Sequence, residues 1–143
     1  MVWSLLHDQL LARYLSVSAA VCQALEAVVA HHSNIGVDAV IEGCWVLPEF
    51  ADQAVFADRP NTASLKPLFL HEASADDLSD RLIARDDGWH AAQPRAAQAA
   101  HVRMQWEFSN EIKRRARTLQ MPVLESRPFD TLLDRALEAL ILT

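Results

Sequence analysis

The feature that most constrains the fold is a pattern of apolar residues that switches repeatedly between helical and extended spacing along 143 residues. Short apolar runs bounded by glycine, proline or charged residues are typical of strands that are buried on both faces. Three segments have this character: residues 37–45, centred on Ala39, Val40 and Ile41, residues 65–72, and residues 121–126. Helical patterns separate them, which predicts an α/β fold with a small parallel sheet flanked by helices.

Apolar residues three and four positions apart predict the helices between these segments. A helix over about 17–34 is expected in the first third, after a shorter helix that breaks near Ser16, and Gly36 is expected to stop it. Ser74 is expected to cap a helix that runs to about Arg85. A long helix precedes the third strand and a last helix follows it. The side chains expected on buried faces are Val17, Ala20, Val21, Ala24, Leu25 and Val28, then Val102, Trp106, Ile112, Ala116 and Leu119, and finally Leu133, Ala136, Leu137 and Leu140.

Residues 86–100 interrupt this alternation. The segment contains Gly88 and Pro94, has no clear period, and carries Trp89 in a polar setting. Such a stretch between two helices predicts a flap over a ligand site, and an ordinary surface connection is the alternative. The chain as a whole is expected to be one domain, 1–143, because its length matches a single compact core.

Composition excludes several classes of protein. Thirteen Lys and Arg against nineteen Asp and Glu give a net charge of −6, which argues against a nucleic-acid binder. The two cysteines, Cys22 and Cys44, have neither metal-ligand spacing nor the density of a disulfide scaffold. We find no signal-peptide pattern and no apolar run near the roughly 20 residues that span a bilayer. The expectation is a cytoplasmic protein with no metal site and no membrane partner.

The order of these pieces resembles the later part of P-loop kinases of the nucleoside/nucleotide-kinase-like and 2-phosphoglycerate-kinase-like group. A strand ending Val-Ile-Glu-Gly and followed by proline spans 40–48, and a strand ending Leu-Phe-Leu-His-Glu spans 68–72. A helix closing on Arg85, an arginine-bearing flap, and Met-Pro-Val-Leu-Glu-Ser-Arg-Pro-Phe-Asp-Thr-Leu at 121–132 follow. The resemblance covers about residues 17–139 and depends on this collinear set rather than on one motif.

The chain departs from that family at its phosphate loop. Members carry Gly-x-x-x-x-Gly-Lys-Ser/Thr, whose backbone N–H groups and lysine hold the nucleotide phosphates. Here the glycines are Gly36, Gly43 and Gly88, and the lysines are Lys66 and Lys113, so the motif is absent. The resemblance therefore implies a P-loop NTPase-like core missing its first strand and phosphate loop, as in a member truncated at its N-terminus.

The resemblance also implies a set of site residues beyond the carboxyl ends of the strands. These are Glu42 and Gly43 at the substrate, Arg81, Arg85 and Arg103 at the phosphate and lid, and Arg127 and Pro128 at the nucleotide base. Plainer interpretations are a strand-end glutamate with a turn glycine, solvated helix arginines, and a proline that starts a helix. Cys44 stands where relatives look to carry an acidic residue, so no catalytic residue is assigned.

By this resemblance the cofactors are ATP and Mg²⁺, and the reaction is phosphoryl transfer to a small hydroxylated or phosphorylated acceptor. We expect the chain to be inactive, because nothing in it cradles the β- and γ-phosphates. The alternative is a non-catalytic, kinase-like binding or interaction module. A missing central strand would leave the segments at 38–43 and 66–71 with unpaired inner edges. We therefore expect them to pair directly after a shift, or another chain to fill the gap by self-association.

Overall fold

Five α-helices and four short strands make up the described part of this computed structural model, residues 7–56, 59–60, 63–85, 88 and 92–141. In chain order they are α1 (His7–Ile35), α2 (Pro48–Ala51), β1 (Val55–Phe56), β2 (Arg59–Pro60), β3 (Phe69–His71), α3 (Ala75–Ala84), α4 (Arg95–Thr118), β4 (Val123–Glu125) and α5 (Leu132–Ile141), with a 3₁₀ turn at Phe129–Thr131 before α5. β1 and β2 form an antiparallel pair, and β3 and β4 a parallel one. A parallel pair connected through two helices agrees with the predicted α/β class.

The hydrophobic core lies where α1, α2 and α4 meet. Met104 is 1% exposed, and it packs in one cluster with the residues Leu10, Cys22, Val29, Leu47, Phe50, Phe56, Phe108 and Ile112. The rings of Tyr14, Trp45 and Phe108 pack with centroids 4.7–5.7 Å apart and join α1, the segment before α2, and α4. These helices therefore hold one another through large apolar side chains.

Cys22 adds a polar contact to this core. The backbone N–H of Leu47 donates to the Cys22 Sγ atom at 3.2 Å. Burial raises the pKa of the Cys22 thiol, and the hydrogen bond from Leu47 opposes that shift. Cys44, in contrast, is exposed. The buried thiol thus serves as a small core side chain, and it fixes the chain entering α2 against α1.

The predicted first strand is wrong. Residues 37–43 form neither helix nor strand, and the Val40 side chain is 96% exposed. Among the described residues, β3 pairs with β4 alone, so the expected direct pairing of 38–43 with 66–71 within the chain is also wrong. A strand needs a neighbouring strand to satisfy its N–H and C=O groups, and no strand of the described ranges lies beside this segment.

The face of α1 that the sequence predicts to be buried is largely on the outside. Val17 and Val28 are 43% and 42% exposed, whereas Leu10, Ser18, Cys22 and Val29 are buried. Two sides of this helix are apolar, and the side with the bulkier leucines and Tyr14 packs against α4, because it buries more area. The predicted break at Ser16 is also wrong, since a serine inside a helix costs only a few tenths of a kcal/mol.

The length and composition of α1 bear on the expectation that no apolar run approaches the length needed to span a bilayer. Gln9–Ile35 is long and apolar enough by length and composition, and 17% of its most apolar window is buried. The side of α1 that carries Leu10, Cys22 and Val29 belongs to the hydrophobic core, and core helices of this length can have the same apolar composition.

The remaining helices agree with the sequence in their positions and differ in detail. Ser74 Oγ accepts the Asp77 N–H at 3.2 Å and caps α3, as predicted. α4 begins at Arg95, so the second part of the predicted flap is helical, while residues 86, 87 and 89–91, including Trp89, lie outside the described ones. Leu133 and Leu137 of α5 are 70% and 50% exposed rather than buried.

Candidate functional site

β3 and β4 end side by side, and this shared edge collects most of the polar side chains that contact one another across elements. The register pairs His71 with Glu125, and the Ser126 N–H donates to the His71 carbonyl at 2.9 Å. The residues that follow the two strands, Glu72 and Ser126, therefore lie together. Ligands of open α/β sheets bind beyond this carboxyl edge, which makes it the place to look for a site.

A partly buried ion pair lies at the centre of the edge. Arg81 Nη2 contacts Glu72 Oε2, and the exposed fractions of the two side chains are 27% and 10%. Ser126 Oγ donates to the same carboxylate oxygen at 3.1 Å and lies 3.4 Å from the Arg81 guanidinium. Because Ser74 sets the start of α3, Arg81 lies two turns along that helix and reaches back to the strand ends. The pair is neutral overall, so its primary effect is to hold α3 against both strands.

The Phe129 ring brings a second arginine to this edge. The guanidinium carbons of Arg81 and Arg127 lie 4.5 and 4.7 Å from the ring centroid. Arg127 is exposed and makes no ion pair with any residue in the described ranges. Its guanidinium is therefore a cation held near an aromatic ring with its polar edge open to solvent.

Arg135 of α5 fixes the loop that carries Arg127. Its two terminal nitrogens donate to the carbonyls of Glu125 and Pro128, both at 2.9 Å. Its Nε lies 3.3 Å from Thr131 Oγ1. One guanidinium thus ties the end of β4 to the turn before α5, and this limits the positions that Arg127 can take.

His71 connects the edge to α4. It is 3% exposed, and its Nδ1 lies 3.0 Å from Ser109 Oγ. Burial lowers the pKa of His71, with smaller effects from nearby charges: Lys113 and Arg117 lower it further, and Glu125 and Glu72 oppose this. The imidazole is therefore neutral at neutral pH, which suits a buried hydrogen-bonding partner better than a charge-bearing one.

The structure brings together three of the residues predicted from the sequence and leaves four apart. Arg81, Arg127 and Pro128 lie at the shared edge. The other four are Glu42 and Gly43 in the exposed 37–43 segment, Arg85 at the end of α3, and Arg103 on the outer side of α4. The side chains of Glu42, Arg85 and Arg103 make no ion pair or hydrogen bond within the described part of the chain.

Sequence reasoning did not name Glu72, Ser126, Phe129 or Arg135 as site residues. A usable signal existed for the first two, because each is the last residue of a segment predicted as a parallel strand and such positions converge at one edge. No comparable signal marks Phe129 and Arg135, whose contacts depend on how the turn before α5 folds.

The two groups by which the family holds ATP and Mg²⁺, a phosphate loop and a set of metal ligands, are not formed by the described residues. Gly36 lies at the C-terminal end of α1, where the helix dipole repels anions, and the Lys66 ammonium donates to the Leu140 carbonyl at 2.8 Å. Over the described ranges, no three of the His, Cys, Asp and Glu side chains cluster as metal ligands would. Neither Gly36 nor Lys66 can therefore act as part of a phosphate loop.

Comparison of the chain with protein-family models, with curated proteins and with solved structures finds no match.

Proposed function

We propose that this chain is a P-loop-kinase-like module that binds a nucleotide at the carboxyl edge of β3 and β4 without transferring its phosphate. The order of strands and helices along the second half of the chain supports the kinase-like part of this proposal. The absence of a phosphate-loop motif from the sequence supports the non-catalytic part.

One observation carries the proposal: the exposed Arg127 guanidinium lies over Phe129 at 4.7 Å, in the loop that directly follows β4. A planar guanidinium supported by an aromatic ring offers a flat, electron-poor surface on which a base can stack. The Arg135 hydrogen bonds to this loop reduce the ordering that binding would require. The charge of Arg81 is neutralised by Glu72, so Arg127 supplies the positive charge that a ligand would meet at this edge.

The proposal predicts weak binding that depends on the base rather than on the phosphates. We expect a Kd of about 1 mM, because base stacking acts with no phosphate cradle to add to it. AMP and ATP should bind equally well, Mg²⁺ should make no difference, and inorganic phosphate alone should not bind. Ligand-observed NMR measures these affinities directly, and phosphate release reports any turnover of ATP.

Three variants test the residue that carries the proposal. Arg127→Ala should abolish binding, and Arg127→Lys, which keeps the charge but loses the planar group, should abolish it too. Arg13→Ala removes an exposed arginine from α1 and should leave binding unchanged. Binding that survives in Arg127→Lys would mean that charge alone is recognised. ATP binding at least about tenfold tighter than AMP binding, or measurable ATP turnover, would contradict the non-catalytic module.

A further inference from the structure

We infer that two copies of this chain associate by strand addition, in which residues 37–43 of each copy pair with the open edge of β3 in the other. The inference depends on two features of the same molecule that lack a partner and match each other in chemistry. One is a strand with a free edge, and the other is a strand-like segment that no strand accompanies.

The first feature is the edge of β3 that faces away from β4. In a parallel pair, alternate residues direct both backbone groups to the same neighbour. Phe69 donates to the Pro122 carbonyl at 3.1 Å, and the His71 carbonyl accepts from Ser126, so these two residues face β4. Leu70 lies between them, and its N–H and C=O point to the opposite edge, where no described residue bonds to them. Its side chain is 53% exposed.

The second feature is the segment 37–43, Val-Asp-Ala-Val-Ile-Glu-Gly. β-branched residues dominate its centre, and this is the composition that favours strands. In the structure the side chains of Val37, Val40 and Ile41 are 50%, 96% and 40% exposed. The backbone groups of residues 38–43 make no hydrogen bond to another described residue. Both the apolar side chains and the backbone of this segment are therefore left to solvent.

The two features complement each other in hydrogen bonding and in hydrophobicity. Strand addition to an exposed edge is a common mode of recognition, in which main-chain bonds supply affinity and alternate side chains supply specificity. With Val40 opposite Leu70, two exposed apolar side chains meet. In an antiparallel pairing, Leu70 exchanges both backbone hydrogen bonds with Val40. Glu42 then lies opposite Leu68, two residues from Lys66, and Asp38 lies opposite Glu72, whose carboxylate is paired with Arg81.

A second copy is the occupant because each copy offers both halves of the contact. Within one copy the segment and the edge remain apart, and in a pair each copy gives a strand and receives one. Such a reciprocal exchange has two-fold symmetry. It leaves neither copy with a free β3 edge or an unpaired segment 37–43.

Two proline variants test the pairing without removing any hydrogen bond of the single chain. Leu70→Pro removes the N–H on the open edge of β3, and edge strands tolerate proline where the N–H faces solvent. Val40→Pro removes an N–H that has no partner in the described residues. Each variant should raise the dissociation constant of the dimer at least about tenfold in analytical ultracentrifugation, with an unchanged circular dichroism spectrum. Leu137→Lys, on the exposed side of α5, should leave the dimer intact.

Mixing the two proline variants separates a lost contact from a damaged fold. A Leu70→Pro copy keeps its segment and a Val40→Pro copy keeps its β3 edge, so the mixture should form a heterodimer with one of the two contacts. Hydrogen exchange of the wild type should show amides 38–43 and Leu70 becoming protected as concentration rises. A wild type that stays monomeric, a dimer that only Leu137→Lys disrupts, a dimer that only one proline variant weakens, or a mixture that stays monomeric would overturn the inference.

Discussion

The helical part of this molecule, formed by α1, α2 and α4, and its strand part, formed by β3 and β4 with α3 and α5, are stabilised by different interactions. Where α1, α2 and α4 meet, large apolar side chains are buried nearly completely, and Met104 and Phe108 are 1% and 5% exposed. Around β3 and β4 no large apolar side chain is buried to that extent within the described residues, and α3 and α5 contain no buried residue. Phe69 of β3 packs against the helical core, and the remaining support of the strand part comes from the contacts among Glu72, Arg81, Ser126, His71 and Ser109.

Because of this difference, substitutions should destabilise the two parts of the molecule in different ways. Apolar burial stabilises in proportion to area and tolerates little loss of volume. A polar cluster contributes less net stability, but it fails abruptly when one partner is removed and another stays buried and unpaired. The strand part therefore combines a fixed geometry with modest stability, which is how a ligand site is usually built.

The largest expected effect is on the helical core. Met104→Ala should lower the free energy of unfolding by about 3 kcal/mol, through lost burial and the cavity that remains. Leu137→Ala, on the exposed side of α5, should change it by less than about 0.5 kcal/mol. Urea unfolding followed by circular dichroism measures both. Similar losses from the two variants would erase the contrast between the two parts of the molecule.

The polar cluster should give the next largest effect. Arg81→Met leaves the Glu72 carboxylate nearly buried with Ser126 as its remaining partner, and should cost roughly 2 kcal/mol, less than in a fully buried pair because Arg81 is 27% exposed. The double variant Arg81→Met/Glu72→Gln should be more stable than the single one, since no buried charge is left without its partner. If the double variant loses more stability than the single one, the ion pair does not act as described.

The smallest effect should come from His71, which links the two parts. Its pKa is lowered by burial and by Lys113, so the unfolded chain binds its proton more readily than the folded chain does. The stability that neutral His71 contributes is complete above the unfolded pKa of about 6.5, and it is lost as the pH falls through the folded value. Urea unfolding between about pH 7.5 and pH 5.5 should show this loss, and His71→Gln should flatten it.

Glu111 serves as an internal reference for that experiment. Hydrogen bonds from Arg114, supported by Arg115, lower its pKa from 4.5 to about 2. Its contribution is therefore lost only as the pH falls below 4.5, outside the window used for His71. A pH dependence that His71→Gln leaves unchanged would assign the effect to another group.

Elements with strong local signals could be predicted, and so could part of the candidate site. Ser74 caps α3, Gly36 follows the end of α1 with a φ of 65°, and the strands at 69–71 and 123–125 lie inside predicted segments. Of the site, Arg81, Arg127 and Pro128 were named from the family resemblance, the last two because they lie in the loop after a predicted strand. Phe129 was not, since its part in the site comes from two guanidinium groups that only the folded loop brings near its ring.

The sequence by itself determined the succession of helices and strands from β3 to α5, because spacing, caps and turn residues act within a few positions of the chain. The tertiary structure alone decided which apolar surfaces are covered. Residues 37–43 have a strand-like composition without a neighbouring strand, and α1 has two apolar sides of which only one packs on α4. Burial is a property of pairs of surfaces, so a pattern in one segment cannot determine which partner it meets or whether it meets one at all.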